Sequence, residues 1–102
     1  GGGGSGVATG PVLIPPTLEG PRDYPREVLR RWPRGGRVFV RFQVDVAGRP
    51  FNCNIDRSSG DPGVDQWTCS LVVSKLRFRP ATDDRGRPVI SWYGYIQAPT
   101  NF

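Results

Sequence analysis

The clearest pattern in the chain is a strict alternation from Arg37 to Asp45. Val38, Val40, Phe42 and Val44 fall on one side. Arg37, Phe39, Arg41, Gln43 and Asp45 fall on the other. A period of two predicts a strand, buried on the first face and half-exposed on the second. That asymmetry fits an antiparallel sheet covered on one side only. Ala47-Gly48-Arg49 then supplies a turn with a glycine for positive φ. A second strand is expected next, with Phe51, Cys53 and Ile55 on the core face and Asn52, Asn54 and Asp56 on the other.

Beyond that strand the period changes. Ser58 to Gly63 reads as a loop, and a helix is expected over about Val64 to Leu76. Val64, Trp67, Leu71 and Val72 form its apolar side, with Cys69 and Leu76 nearby. A shorter helix is predicted upstream, from Pro25 to Trp32, with Asp23 or Tyr24 at its N-cap and Pro25 in its first turn. Pro33 disfavours helix at Trp32, and Gly35-Gly36 ends the unit. Pro80 and the turn Asp83-Asp84-Arg85-Gly86 lead into a third strand, from about Pro88 to Gln97. It is rich in strand formers: Val89, Ile90, Trp92, Tyr93, Tyr95 and Ile96. Gly94 within it marks a bulge or a close backbone approach. The predicted fold class is therefore α+β, a small antiparallel three-stranded sheet with two helices packed on one face.

A chain of 102 residues is one small domain. A core of that size is marginal, and a covalent staple would help it. Residues 1–19 read as a Gly/Pro-rich flexible linker, 20–97 as the folded domain and 98–102 as a C-terminal tail. The opening Gly1 to Gly6 is either an added linker or the end of a natural spacer. Val12-Leu13-Ile14 is the apolar spot in that lead, expected to add a short strand or to lie over the core. No apolar run approaches the length that spans a bilayer, and there is no signal peptide and no initiating Met. The expectation is a fragment or processed form whose membrane anchor lies outside it.

The net charge is +5, from 14 basic and 9 acidic side chains, with Lys75 the only lysine. Such a surface is compatible with nucleic acid, anionic lipid, an acidic protein face, or simple solvation. The chain contains no histidine, which removes Ser-His and Cys-His nucleophile pairs. Asp83-Asp84 is adjacent in a turn and reads as solvated loop. The glycine-rich start follows no strand and precedes no helix, so it does not read as a phosphate loop. Two sulfurs without histidine do not make the usual four-ligand zinc site. No catalytic residue, metal or cofactor is assigned. The residue inventory favours a binding or mechanical module over an enzyme.

Cys53 sits mid-strand on the expected core face, and Cys69 in the second turn of the following helix. A helix packed on the sheet would bring them together; two buried free thiols are the alternative. A bridge across the fifteen intervening residues would contribute about 3 kcal/mol. It would also imply an oxidising compartment such as the periplasm.

The order and spacing of several short motifs carry a resemblance. Tyr24-Pro25 precedes a helix. Gly36-Arg-Val-Phe-Val-Arg-Phe-Gln-Val-Asp45 precedes Gly48. Ser58-Ser59-Gly60, Val64-Asp65, Phe78-Arg-Pro-Ala81 and Gly86-Arg-Pro-Val89 follow. Over about residues 20–97 the chain resembles the TonB C-terminal domain family, and within it a subgroup with one Cys in strand two and one in the second helix. The glycine-rich lead is similar to the spacer that often precedes such domains.

The resemblance implies a periplasmic domain at the end of a protein anchored in the inner membrane of a Gram-negative bacterium. Its partners would be outer-membrane TonB-dependent transporters, each offering an N-terminal Ton box. The edge of strand three would capture that segment by strand addition, and pulling would remodel the transporter's plug to import siderophores, cobalamin or similar nutrients. The motor would be an inner-membrane proton-driven complex reached through regions outside this chain. Carried onto this sequence, the peptide-binding residues are Val89, Ile90, Ser91, Trp92, Tyr93, Gly94 and Tyr95. Such an edge gives affinity through backbone pairing, and Trp92, Tyr93 and Tyr95 supply stiff contact surface or complete the core. Tyr24, Pro25, Arg22, Arg26 and Arg30 are the candidate transporter contacts.

Two positions depart from the family pattern. Gly20-Pro21-Arg22-Asp23 stands where a Gln is common, and Glu27 where a basic residue is common. Other readings are a TonB-like domain serving envelope assembly or signalling, and an RNA-binding module using Phe39 and Arg41 on the open face. The expectation is no nucleic acid partner. Free strand edges permit either a monomer or a strand-swapped dimer.

Overall fold

The alternating segment forms the centre of the sheet. A computed structural model describes residues 6–99; Gly1–Ser5 of the expected linker and Thr100–Phe102 of the expected tail lie outside the described residues. In chain order the elements are β1 (Val12–Ile14), α1 (Gly20–Asp23), α2 (Arg26–Arg31), β2 (Val38–Val44), β3 (Pro50–Arg57), α3 (Pro62–Lys75), β4 (Arg77–Arg79), β5 (Ala81–Thr82), β6 (Pro88–Val89) and β7 (Ser91–Gln97). The main sheet has the order β3-β2-β7, antiparallel throughout. Two two-stranded ribbons, β1-β4 and β5-β6, flank it. The fold is α+β, with α3 packed on one face of the sheet.

Val38, Val40, Phe42 and Val44 are buried, as the period of two requires. Each contributes about 1.5–3 kcal/mol by leaving water. They meet Val64, Leu71 and Val72 from α3, Leu76 at its C-cap, Val28 and Trp32 from around α2, and Phe78 from β4. Trp67, expected on the apolar side of α3, is instead largely exposed, and its indole reaches the Asp23 carbonyl at 3.4 Å. Thr68 takes the inward place. Its hydroxyl donates to the Val64 carbonyl at 2.8 Å and so accepts from the Tyr24 hydroxyl at 2.7 Å. A buried polar group is tolerated there because both of its bonds are made.

The loop before α3 is fastened by two aspartates. Asp61 caps the helix, accepting from Gly63 N at 2.8 Å and Val64 N at 3.1 Å. Those backbone donors, Val64 first, hold its carboxyl below the usual carboxylate range, with Arg31 assisting. Asp65 is buried in the first turn and accepts from Ser59 N at 2.9 Å, from Ser59 Oγ at 2.8 Å and from Ser58 Oγ. Negative charge at a helix N-terminus is also favoured by the backbone dipole. The Ser58-Ser59-Gly60 motif is thus a structural clasp.

Several expectations are corrected. The lead is drawn into the fold well before residue 20. Ala8 N donates to the Thr82 carbonyl at 2.8 Å, β1 pairs with β4 through Leu13 opposite Phe78, and Leu18 is buried. Three apolar residues beside an otherwise unpaired strand satisfy both its backbone and its side chains. The short helix begins after Pro25, which is its N-cap with no side-chain bond. Asp23 turns back instead, accepting from Glu19 N at 2.8 Å, and closes the unexpected turn α1.

The second strand does not alternate as expected. Asn52 has φ 56°, a left-handed value that Asn tolerates better than most residues. The register with β2 slips there and again near Asp56. These bulges put Phe51 opposite Gln43, on the open face, while Cys53 still turns inward. Phe51 is therefore not a core residue. The third strand is also broken: Pro88-Val89 pairs with Ala81-Thr82, Ile90 is unpaired, and the long strand starts at Ser91.

Gly48 shows how tightly the β2-β3 turn is seated. Its φ is +83°, and a Cβ there would lie 2.0 Å from the Phe78 carbonyl oxygen. Phe78 N donates to the Gly48 carbonyl at 2.9 Å. Only glycine allows that approach.

Candidate functional site

Seven consecutive residues of β7 pair with β2, from Ser91 opposite Val44 to Gln97 opposite Val38, with no register shift. On its other side β7 has no strand neighbour among the described residues. The free edge anticipated for the third strand is thus the outer edge of β7. Its pairing-competent stretch is Ser91–Gln97; Val89 and Ile90 fall outside it. Val89 belongs to the β5-β6 ribbon, and Ile90 is an exposed residue between β6 and β7.

The two faces of β7 differ. Tyr93 and Tyr95 turn toward the core. Tyr93 packs edge-on against Phe78, ring centres 4.8 Å apart, and lies 5.7 Å from Phe42. The Tyr95 hydroxyl accepts from Leu18 N at 3.3 Å and donates to Gln97 Oε1 at 2.9 Å. Burial raises the Tyr95 pKa above the ordinary phenol value. These two tyrosines complete the core, and they hold β7 in place from below.

Trp92, Gly94 and Ile96 turn to the open face, opposite Gln43, Arg41 and Phe39 in that order. Trp92 is 51% and Ile96 54% exposed. The Arg41 guanidinium lies 5.2 Å from the centre of the Trp92 ring, and Arg57 lies 5.6 Å from that of Phe39. Phe51 and the Asn52 amide, which donates to Gln43 Oε1 at 2.9 Å, extend this face across β3. An aromatic and arginine surface of this kind suits contact with a partner backbone and its side chains. The sequence concealed Phe51's place on it; the signal was Asn52, a residue apt for left-handed backbone, inside an otherwise alternating run.

The candidates near the short helices are more scattered. Tyr24 is buried, sits edge-on to Trp32 with ring centres 5.0 Å apart, and bonds Thr68. Burial raises its pKa above the ordinary phenol value. It is a core residue and cannot present a contact surface. Pro25 caps α2, and Arg26 and Arg30 are exposed on it. Arg22 is already engaged, 2.7 Å from Asp23 and 3.4 Å from Glu19. The Asp23 side chain is buried. The Arg22 hydrogen bond first, then Glu19 N and the Lys75 charge, hold its carboxyl below the usual range. Arg22, Asp23 and Lys75 line a cleft of about 310 Å³ with Pro16, Thr17 and Leu18. Its two cations are compensated from within.

Cys53 and Cys69 form a disulfide, with Cα atoms 5.7 Å apart. It ties the edge strand β3 to α3. No cluster of three or more metal-ligating side chains occurs among the described residues. No helix among them is long and apolar enough to cross a membrane.

Among curated proteins, none matches this chain. A family model does: residues 21–102 match the one described as Gram-negative bacterial TonB protein C-terminal. The match therefore takes in α1 through β7 and continues past Gln97, through the stretch read from the sequence as a tail. The α+β fold, the paired cysteines and a match over most of its length place the chain in the TonB C-terminal family.

Proposed function

We propose that this domain captures the Ton box of an outer-membrane TonB-dependent transporter by strand addition to the outer edge of β7. In this reading it is a periplasmic domain that passes on proton-motive-force-driven pulling from an inner-membrane complex, in support of siderophore or cobalamin-like import. The family match supports a role in protein interaction. The observation that carries the specific reading is the unbroken seven-residue register of β7 with β2, beside an unpaired outer edge. A straight edge offers backbone donors and acceptors in regular order, which is what an added strand requires. The exposed Arg26 and Arg30 on α2 are candidates for a second contact with the transporter body.

The test is a titration of labelled domain with peptides from the N-termini of outer-membrane receptors encoded in the same genome. Amide shifts concentrated in Ser91–Gln97 are expected. Saturable binding that leaves those amides unmoved would put the site elsewhere and overturn the reading.

A further inference from the structure

Gly94 is the one glycine in β7, and the fold gives it no reason to be glycine. Its φ is outside the left-handed region. A Cβ built on it meets nothing within 4 Å. Glycine in a strand interior costs stability relative to residues with side chains. Its two neighbours on the open face, Trp92 and Ile96, are both large and both about half exposed. The result is a notch in the open face, walled by Trp92 and Ile96.

Arg41 stands directly across from Gly94 on β2. Its guanidinium leans toward β7 over the Trp92 ring, 5.2 Å from the ring centre. Its other neighbour is Asp56, at 3.8 Å, with both side chains about half exposed. A pair that long and that wet is weak and exchangeable. β7 itself carries no charge in Ser91–Gln97, so Arg41 is the cation nearest the notch on the paired strand.

Resting on strand capture at β7, we propose that Gly94 and Arg41 form a specificity notch for a carboxylate side chain on the captured strand. A residue added opposite Gly94 lies one strand spacing from it and about 10 Å from Arg41, two spacings away. Side chains at the same register position share a face, so this residue projects beside the notch. With a Cβ-bearing residue between them, Arg41 and the incoming side chain would be separated. Across glycine, a long guanidinium stem and a glutamate can meet. Trp92 holds the guanidinium flat and limits its loss of freedom on pairing. The preference is for an acidic side chain at one register position, with neutral residues accepted at lower affinity and a lysine there disfavoured.

The probe is a short peptide of alternating valine and threonine with a single glutamate walked along its length. Matched peptides carry glutamine or lysine in the same place. Binding is followed by the amides of Ser91–Gln97. One position is expected at which glutamate binds about fivefold more tightly than glutamine, the scale of an opposite-charge cross-strand pair. In Arg41→Gln and, separately, in Gly94→Val, the glutamate and glutamine peptides should bind equally, whatever either variant does to the backbone affinity that the two peptides share. Both sites are exposed, and the Cys53–Cys69 disulfide and the amide spectrum report that each variant is folded. If the β7 amides shift but glutamate equals glutamine at every position, strand capture survives and the notch does not. If the advantage persists in Arg41→Gln, another cation supplies it and the proposal fails. If no peptide moves the β7 amides, capture at this edge fails and takes the notch with it.

Discussion

The sheet has two edges, and they are built in opposite ways. The β3 edge carries two bulges, a left-handed Asn52, and the charged pair Asp56-Arg57. Its Asn54 amide is spent on the Asn52 carbonyl at 3.0 Å, and its middle is bonded covalently to α3. These are the devices by which sheet proteins discourage edge-to-edge pairing. The β7 edge has none of them. It is unbulged, uncharged, free of proline and flanked by exposed Trp92 and Ile96. A bare edge of that kind is a liability unless pairing is its purpose. The contrast within one small sheet supports the proposed addition of a partner strand at β7 rather than at β3. It also says which edge would join in a strand-swapped dimer.

The largest expected effect comes from removing the staple on the closed edge. Reduction and alkylation of Cys53 and Cys69 should lower unfolding free energy by about 3 kcal/mol, read from denaturant midpoints. Hydrogen exchange should rise most in β3 and the adjoining turn of α3, and least in β7, whose support from Tyr93 and Tyr95 remains. Uniform loss of protection across all three strands would mean that the staple holds the whole sheet rather than one edge.

A smaller loss is expected from Asn52→Val. A β-branched residue fits poorly at φ 56°, and the substitution should cost about 1–2 kcal/mol. It also removes the Asn52–Gln43 amide bond. If β3 straightens to escape the strain, its edge becomes competent to pair, and sedimentation should show dimer that wild type lacks at equal concentration. A neutral effect with unchanged β2-β3 register would leave the bulge without a cause at Asn52.

Acid and alkali should act on different parts. Asp61 and Asp23 have folded pKa values below the ordinary carboxylate value. What they contribute is fully present above about pH 4 and is lost as pH falls through the folded values. The α3 cap and the α1 turn should loosen first. Tyr95 and Tyr24 have folded values above that of a free phenol. Their contribution is intact below about pH 10 and is lost as pH rises from there. Tyr95→Phe should delay the alkaline loss of β7 protection without altering the acid limb. If both limbs move together, the tyrosine is not acting through β7 alone.

Much of this was legible in the sequence. The alternation of β2 predicted its buried face residue by residue, because a central strand is packed on one side and wet on the other. The third helix followed from period, and the disulfide was one of two readings that the placement of Cys53 and Cys69 left open. Phe51 and Trp67 were placed by local period, but the left-handed Asn52 and the inward, satisfied hydroxyl of Thr68 beside them decided their positions. Tyr24 was named a transporter contact from the family resemblance, but its bond to Thr68, 44 positions away, keeps it in the core. The rest of the lead was read as linker because Gly and Pro dominate it, whereas Val12-Leu13-Ile14 was expected to add a short strand or lie over the core, and it does add one, beside Arg77–Arg79. The edge of the third strand was foreseen from the family resemblance, while its start slipped from Pro88 to Ser91, since nothing local distinguishes the β5-β6 ribbon from the strand beyond it.

The smallest effect is the most discriminating. Gly48 and Gly94 answer to different demands. Gly48 is fixed by a backbone contact that no side chain can share. Gly94 has open space where a side chain would go, so the fold alone would favour replacing it. Gly94→Ala is expected to leave stability unchanged or to raise it by about 0.5–1 kcal/mol, through a less flexible unfolded chain. Urea unfolding of the single variant decides this. A loss of stability would show that the glycine serves the sheet itself. A gain means that stability has been given up at the centre of the unbulged β7 edge, which is the expected mark of a position kept for what binds there.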